Sequence, residues 1–500
     1  MSGKIATVDA KTGAMILSEP KPESAPKNSA FEGAKLNRFN ADWVTSNASM
    51  DCLLEPSLIR LRSRSSDLVR NDGYAYNAEE QVVSNVIGPE GFKVKVNART
   101  AAGRTTDKRA SEAVRQAWKE FCQAENYTVT GDVTEHGFDC MLLRSVFRKG
   151  GGLARMAKGF RDNGWRFALQ GVAIDRLDPE YSKPEDNISM SVQYDGFGRE
   201  LGYHILDQNP GDRYYGGALP GRRSYLEAGD AIHAYIKEEF GQSQGKPWLT
   251  PVIARLRQLH GYEEAELIAA RAHASKLGFF ETDFNSPAGG YQGEGEDPLG
   301  NIKMDGSPGS FENLPPGVKA TLIDPTHPNA NYPDFRKGML RGISAGIVTN
   351  YNILGQDLEG VNYSSIRSGT LSERDRWMLI QRWWVDTVKK PIFSEWLQFA
   401  LLAGKIPGYG MADYDRLNHP EFTGRRWAWV DPDKDSKAEE RRLRNRLTSH
   451  QRISRSHGQD HDEIMEEIQE DEKKAEQLEL QLFLDPVATP PEVEVDLQES

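Results

Sequence analysis

The chain of 500 residues is poor in cysteine, in long apolar runs and in positive charge. Its 3 cysteines, Cys52, Cys122 and Cys140, show neither C-x-x-C spacing nor the density of a disulfide framework, which predicts a reducing compartment. No apolar run approaches the roughly 20 residues that a membrane span needs. Acidic side chains outnumber basic ones by 74 to 62, and the resulting net charge of −12 argues against a general nucleic-acid binder.

Charge is distributed unevenly along the chain. Residues 431–500 contain 20 acidic and 10 basic side chains, so this segment supplies −10 of the net charge of −12. A basic cluster lies between residues 141 and 166, where only Asp162 is acidic. We interpret it as a solvated face or as a contact with a polyanion or an acidic neighbouring subunit. Its members are Arg144, Arg148, Lys149, Arg155, Lys158, Arg161 and Arg166.

Hydrophobic periodicity predicts an α+β chain. Helices are expected over 56–86, 108–124, 250–278, 333–345, 365–390, 434–447 and 462–480. Strands are expected over 92–96, 166–175, 202–206, 231–236, 318–323 and 427–430. Pro391 is expected to end the long helix before it, because proline removes a backbone donor and clashes with the preceding turn. Polar composition predicts disordered tails over 1–29 and 481–500.

Candidate catalytic and ligand-binding motifs are weak. Gly342-Ile-Ser344-Ala-Gly346 matches a nucleophile elbow, but a helical pattern precedes it, so a serine hydrolase using Ser344 remains only an alternative. The segment 241–247 lacks one spacer of a phosphate loop and has Pro247 where Ser or Thr is required. The segment 431–442 lacks the glycine and the final glutamate of a calcium loop. A turn glycine separates the two histidines of 457–461. We therefore predict no enzyme, cofactor or metal site.

Several segments occur in an order that resembles a known family. They include RSRSSDLVRNDGYAYNAEEQVVSNVIG at 62–88, ALQGVAIDRLDP at 168–179 and WAWVDPDKDSKAEERRL at 427–443. The most specific block is GISAGIVTNYNILGQDLEGVNYSSIRSGTLSERDRW at 342–377. No single motif is a chemical signature, but the colinear series resembles the lambda family of tailed-phage portal proteins over most of residues 56–480.

The resemblance implies a homo-oligomeric ring, a dodecamer, at one vertex of a capsid. Double-stranded DNA would pass through this ring during packaging and ejection without sequence-specific binding. The implied protein partners are the terminase large subunit, the major capsid and scaffold proteins, and head-completion or adaptor proteins. The implied location is the virion, with assembly in the host cytoplasm and no membrane contact. A minor capsid or head-completion adaptor is the alternative.

The resemblance also implies a domain layout for the protomer. The expected fold is α+β, with an α+β wing, a two-helix stem, a β-containing clip, a long wing helix and a helical crown-like region. The wing would span 30–249, followed by a stem helix at 250–278, the clip at 279–332 and the second stem helix at 333–347. A tunnel loop at 348–364, the long helix and wing at 365–430 and the crown-like region at 431–480 would complete it.

Two segments bear on how such a ring would handle DNA. By its position in the family order, the tunnel loop would contact DNA through neutral polar groups beside two carboxylates. The alternative is that half of these residues only form turns. They are Asn350, Tyr351, Asn352, Gln356, Asp357, Glu359, Asn362 and Tyr363. The segment 149–152, Lys-Gly-Gly-Gly, departs from the family pattern, which has a strand with an acidic Gly-Glu turn there.

Overall fold

The computed structural model describes most of the chain, in two units divided after Ser49. The described residues are 5–8, 15–18, 47–101, 103, 105–212, 221–274, 278–282, 318–322, 331–357, 359, 363–427 and 432–478. Most of the predicted clip and the predicted tail at 481–500 lie outside these residues, as do Ala428–Val430 of one predicted strand. In the first unit, β1 (Ile5–Val8) pairs antiparallel with β2 (Met15–Ser18). This hairpin lies within the segment 1–29 that was expected to be disordered, and its apolar and β-branched residues favour a strand.

The second unit opens with helices and a first short strand. In chain order these are α1 (Met50–Leu54), α2 (Leu58–Asn71), α3 (Gly73–Val86), β3 (Lys93–Val96), α4 (Lys108–Phe121), α5 (Ala124–Tyr127) and α6 (Glu135–Lys149). The predicted helix 56–86 is divided at Asp72, whose extended backbone ends α2 and whose carboxylate accepts the amide of Ala75 to cap α3. Helix α6 was not predicted, although Thr134 supplies an ordinary N-cap for it.

Small antiparallel sheets follow. The strands are β4 (Gly152–Lys158), β5 (Phe167–Val172), β6 (Ile188–Ser189), β7 (Val192–Tyr194), β8 (Glu200–Leu206), β9 (Arg223–Glu227) and β10 (Ala231–Ala234). They form a three-stranded sheet of order β10-β4-β5 and a four-stranded sheet of order β6-β7-β8-β9. Helices and sheets together confirm a mixed α+β chain.

The remaining elements are mainly helical. They are α7 (Ile253–Ala274), β11 (Gly278–Thr282), β12 (Val318–Leu322), α8 (Tyr332–Ile347), α9 (Tyr351–Leu354), α10 (Tyr363–Trp384), α11 (Lys390–Leu402), α12 (Tyr414–Leu417), β13 (Pro420–Thr423), α13 (Pro432–Arg444), α14 (His450–Ser456) and α15 (His461–Gln477). Strand β11 pairs with β12, and β13 pairs with β3. The pairing of β13 with β3 joins the late part of the chain to the strand that follows the first three helices of this unit.

Helix α10 continues through the proline that was expected to end it. A π-helical turn at Val385–Lys389 connects α10 to α11, and Pro391 lies in the first turn of α11. The π-helical turn accommodates this proline, because its wider i→i−5 bonds, such as that from the amide of Lys390 to the carbonyl of Val385, leave room for the ring and for the missing N–H donor. The prediction that Pro391 ends the helix is therefore wrong.

The π-helical turn places a lysine in the centre of the core. Lys389 is fully buried, and its Nζ lies 3.0 Å from Oδ2 of Asp139 and also contacts Oε1 of Glu135. Burial alone would lower the pKa of Lys389, but the two carboxylates raise it above its ordinary value. Burial raises the pKa of Asp139 to about 6, against the opposing charge of Lys389. Lys389, Glu135 and Asp139, named the buried triad below, therefore join α6 to the long helix.

Aromatic rings surround the buried triad. The Nζ of Lys389 lies 5.7 Å from the ring centroid of Phe422 and 6.0 Å from that of Trp118. Trp118 in turn packs edge-on against Trp396 of α11, with ring centroids 4.8 Å apart. Because these rings come from α4, α11 and β13, the triad and its aromatic shell hold together segments that are far apart in sequence.

The basic cluster at 141–166 is largely neutralised within the chain. Arg144 lies 2.9 Å from Glu80, and Arg148 lies 2.5 Å from the fully buried Glu79. Lys149 pairs with Asp175. Lys158 lies 2.9 Å from Asp230 and 3.1 Å from Glu395. For these four cations α6 and β4 supply carboxylate partners in the same chain, while Arg155, Arg161 and Arg166 are exposed, as a solvated face predicts.

The glycines at 150–152 have a local structural reason. Gly150 ends α6 in the left-handed conformation, with φ 83°, and a Cβ there would overlap the backbone of Gly245 and Lys246. A Cβ at Gly152 would lie 2.7 Å from the Leu142 side chain. The strand that the family pattern predicts here is present as β4, and it begins only at Gly152.

Replacing Lys389 with methionine is expected to lower the free energy of unfolding by about 3–5 kcal/mol, since it leaves two buried carboxylates without a counter-charge. The matched control is Lys390→Met, because Lys390 is exposed and pairs only with Asp386 at the surface, so its loss should cost under about 1 kcal/mol. Urea unfolding followed by circular dichroism measures both. Adding Glu135→Gln and Asp139→Asn to Lys389→Met should recover part of the loss; equal stability of the two lysine variants would contradict the role of the triad.

Candidate functional site

The predicted tunnel loop starts where α8 ends in a left-handed residue. Val348 has φ 60°, and its amide and that of Thr349 both donate to the carbonyl of Ser344, the latter at 3.1 Å. Such an ending normally uses glycine or asparagine, because a β-branched side chain is strained at positive φ. The chain therefore turns sharply at Val348 and leaves its side chain exposed.

A short helix occupies the middle of this segment. Asn350 caps α9, with its side-chain oxygen accepting the amide of Asn352 at 3.0 Å. The amide of Asn77 on α3 donates to the carbonyls of Ile353 and Leu354, at 2.9 and 3.0 Å. These bonds satisfy both ends of α9 and attach the segment to α3.

The aromatic and acidic members of the predicted site contact each other. The hydroxyl of Tyr351 donates to Oδ2 of Asp357 at 2.5 Å, and the same oxygen lies 3.6 Å from the Nζ of Lys337. Burial and this hydrogen bond raise the pKa of Tyr351 to about 12. The bond from Tyr351 holds the pKa of Asp357 below its usual value. Glu359 lies 3.7 Å from the same lysine, so one cation on α8 faces both carboxylates.

The remaining predicted residues are placed differently. Asn352 is half-buried, and the exposed Gln356 donates its side-chain amide to the carbonyl of Ile353 at 2.9 Å. Asn362 lies outside the described residues, as does the side chain of Tyr363, whose backbone begins α10. Among the described residues of the segment, Gln356 and Glu359 are the exposed polar side chains, while Asn350 and Tyr351 hold the local structure.

Lys337 and Arg341 were missed by the sequence analysis. Arg341 lies over the ring of Tyr351 with its guanidinium carbon 5.4 Å from the ring centroid, and Lys337 faces the two carboxylates. Both residues are on α8 at a spacing of four, which places them on one helix face directed toward the following segment. That spacing was the available sequence signal.

The geometry does not support a serine nucleophile. Ser344 lies inside α8, is 3% exposed, and its hydroxyl has no hydrogen-bond partner among the described residues. A nucleophile elbow instead requires an exposed serine at a strand-to-helix turn. The serine-hydrolase alternative is therefore wrong at this position.

The described residues were predicted to hold no metal site and no membrane span. The described residues bring together no group of three metal-ligating side chains, and His457 contacts Glu439 at 3.4 Å. Among them, no helix combines the length and the apolarity that crossing a bilayer requires.

Comparison with known proteins decides the family. The model of the family described as phage portal protein, lambda family, matches residues 36–381. The chain belongs to this family. A probable portal protein of Halomonas phage phiHAP-1 is 30% identical over 92% of this chain and 89% of its own length. Portal protein B of Escherichia phage lambda is 23% identical over 72% of each chain. The predicted resemblance is thus confirmed, and the portal function is selected over a minor capsid or adaptor protein.

Two solved structures of gene transfer agent particles align with most of this chain. The neck of a native gene transfer agent particle, computed with C12 symmetry, aligns with 79% of this chain and 93% of that chain, at 11% identity and a TM-score of 0.41. The virion of such a particle aligns with 81% of this chain and 93% of that chain, at 10% identity and the same TM-score of 0.41.

Removing the cap of α9 is expected to loosen the segment without unfolding the protein. Asn350→Ala removes the side-chain acceptor of the Asn352 amide, which should cost the short helix about 1 kcal/mol. Hydrogen exchange of the amides of residues 352–354 should then accelerate by roughly fivefold. The matched control is Asn352→Ala, which leaves the cap intact. Equal exchange in both variants would show that Asn350 does not order this segment.

Proposed function

We propose that this portal-family chain assembles into a closed ring, of about a dozen copies, at one capsid vertex, and that double-stranded DNA passes through its lumen. Membership of the portal family is the observation that carries the proposal. The ring would be built into the virion after assembly in the host cytoplasm, on contact with major capsid and scaffold proteins. Its role would be structural, with the ATPase work of packaging done by the terminase.

The packing of α7 against α8 supports the assignment of these helices as the two-helix stem. Tyr262 packs against Phe335 with ring centroids 4.7 Å apart, and Val252, Leu256 and Ile343 are buried. A Cβ at Gly346 would overlap the Val252 side chain, so glycine allows the two helices to approach closely. In this layout the wing is 30–249, the stem helices are 250–278 and 333–347, and the clip between them is 279–332.

The rest of the domain layout follows from the family order. The tunnel loop is 348–364, the long helix and wing are 365–430, and the crown-like region is 431–480. The terminase large subunit would dock on the clip side, and head-completion or adaptor proteins would later occupy that surface. The antiparallel pair β11–β12 supports a β-containing clip, since both strands lie between the two stem helices in the sequence.

A DNA conduit should not hold its cargo tightly. Neutralising phosphates with lysine and arginine gives strong, salt-dependent binding, which would impede sliding. The net charge of −12 per copy would instead repel DNA or leave only light contact. Gln356 and Glu359, which are exposed, together with Asn352, supply amide and carboxylate groups suited to such light contact.

The first experiment is to image the purified protein by negative-stain electron microscopy and to weigh it by mass photometry. We expect rings of about a dozen copies with a central channel. The control is the same sample after unfolding and dilution, which should show only the single-chain mass of 56.0 kDa. Monomers or small oligomers at every salt concentration would contradict the ring.

Charge reversal tests the tunnel loop. Asp357→Lys with Glu359→Lys would add positive charge beside Lys337 and Arg341, so we expect slower packaging and a shorter retained genome, because DNA phosphates would bind the loop. An in vitro packaging assay measures both quantities. The control is Asp357→Asn with Glu359→Gln, which removes charge without reversing it and should have the smaller effect. Unchanged rate and genome length in the lysine variant would exclude DNA contact by this loop.

A further inference from the structure

In the C-terminal helices, positive and negative side chains are concentrated in different segments of the sequence. Residues 441–459 contain six arginines and no acidic residue, and we name the part 441–455 that holds the arginines the arginine turn. Residues 460–476 then contain nine acidic residues and two lysines. Helix α15, which spans nearly all of this second stretch, is named the acidic helix. Opposite charges are therefore concentrated in two adjacent segments of one chain.

Ser454 of the arginine turn contacts His461 of the acidic helix at 3.5 Å, but no ion pair among the described residues joins the two segments. Arg441, Arg442, Arg446 and Arg452 are exposed, and within the described residues no carboxylate lies at ion-pair distance from them. Arg444 pairs with Glu440 at 2.6 Å on its own helix, and Arg455 lies 3.8 Å from Glu421. Within the part of the chain that the structure describes, ion pairs therefore leave four of the six arginines of the arginine turn unmatched.

The ion pairs that join the acidic helix to other described elements lie in its first half, the last of them at Glu466, 4.0 Å from Lys108, and Ala475 near its end is buried. Lys95 of β3 lies 2.6 Å from Asp460 and 3.2 Å from Asp462, and Arg115 of α4 lies 3.0 Å from Glu463. Every residue from Met465 to Lys474 is exposed. Glu467, Glu470 and Asp471 belong to this exposed part.

Both segments also carry apolar side chains that are exposed to solvent. On the acidic helix, Met465 is 53% and Ile468 is 38% exposed, and the spacing of three places them on one face. On the arginine turn, Leu447 is 68% exposed. A largely uncovered helix of 17 residues is marginal in water, because helices of this length depend on packing for most of their stability. Each segment thus has an apolar centre bordered by charge, which is the composition of a protein interface.

We propose that the arginine turn of one copy docks on the acidic helix of a neighbouring copy of this same chain, which rests on the ring proposed above. The two surfaces are different and complementary, so the contact is head-to-tail and can close a ring. It matches arginine with carboxylate and covers Leu447, Met465 and Ile468 together. Arginine is suited to this role because its planar fork binds a carboxylate through two hydrogen bonds.

DNA is the less favourable occupant of the arginine turn. Phosphates would match the arginines but would leave Leu447 and the apolar face of the acidic helix uncovered. The neighbouring carboxylates of that helix would also repel the phosphate backbone. A second copy of the chain would neutralise the charges of both segments and bury their apolar side chains, whereas DNA would neutralise only the arginines.

Reciprocal charge reversal tests the docking. Variant one carries Arg441→Glu, Arg442→Glu and Arg446→Glu, and variant two carries Glu467→Arg, Glu470→Arg and Asp471→Arg. Each should lower the fraction of protein in rings by roughly tenfold or more at physiological salt, because like charges then face each other. Combining all six substitutions should restore rings. The matched control reverses three exposed wing arginines, Arg64, Arg70 and Arg109, and should leave rings intact.

Mass photometry across a salt series measures the ring fraction, and circular dichroism melting confirms that each variant folds. If a reversed variant does not fold, neutral replacements at the same positions (Arg→Gln, Glu→Gln and Asp471→Asn) should also lower the ring fraction, by less than charge reversal. Normal rings in both reversed variants, or no rescue in the combined variant, would overturn the docking. If variant one forms normal rings but loses binding to a duplex DNA probe, DNA is the occupant and the docking is wrong. Absence of rings in the unmodified protein would instead overturn the proposed function.

Discussion

The buried triad of Lys389, Glu135 and Asp139 is the constraint on which the rest of the described fold depends. One cation faces two carboxylates away from water, so the site is stable only while α6 and the π-helical turn keep all three groups in contact. An uncompensated charge in this position would cost several kcal/mol, a large part of the stability of an ordinary domain. The triad therefore fixes the register of the long helix against α6.

This register has consequences for the candidate site. Because α10 and α11 are continuous through the π-helical turn, the position of α10 follows from that of Lys389. Glu373 of α10 accepts the backbone amide of Asn350 at 3.3 Å, and Asn77 of α3 binds the end of α9. The segment between α8 and α10 is thus held from both sides by helices that the core positions.

Sequence patterns located most helices and strands, since amphipathic periodicity and caps act locally. They failed where a distant partner decides the outcome. Pro391 does not end the long helix, because the turn before it widens to bury Lys389 among residues of α6, α4 and β13. The cations Arg144 and Arg148 looked like surface charge, but Glu79 and Glu80 of α3 neutralise them. The contacts of Lys337 with Asp357 and Glu359 were also missed, because the spacing of Lys337 and Arg341 shows that they share a helix face but not which segment that face meets.

The two kinds of charge in this chain have different physical roles. Buried groups such as Lys389 have partners fixed by packing, so they specify one arrangement of the protomer and are little affected by salt. Exposed groups such as Arg441, Arg442 and Glu470 are screened by salt and form no ion pair among the described residues. A chain that must first fold and then assemble benefits from this division, because its assembly contacts remain available while its folding contacts are already satisfied. Residues 431–500 supply −10 of the net charge of −12, so the preceding 430 residues are nearly neutral.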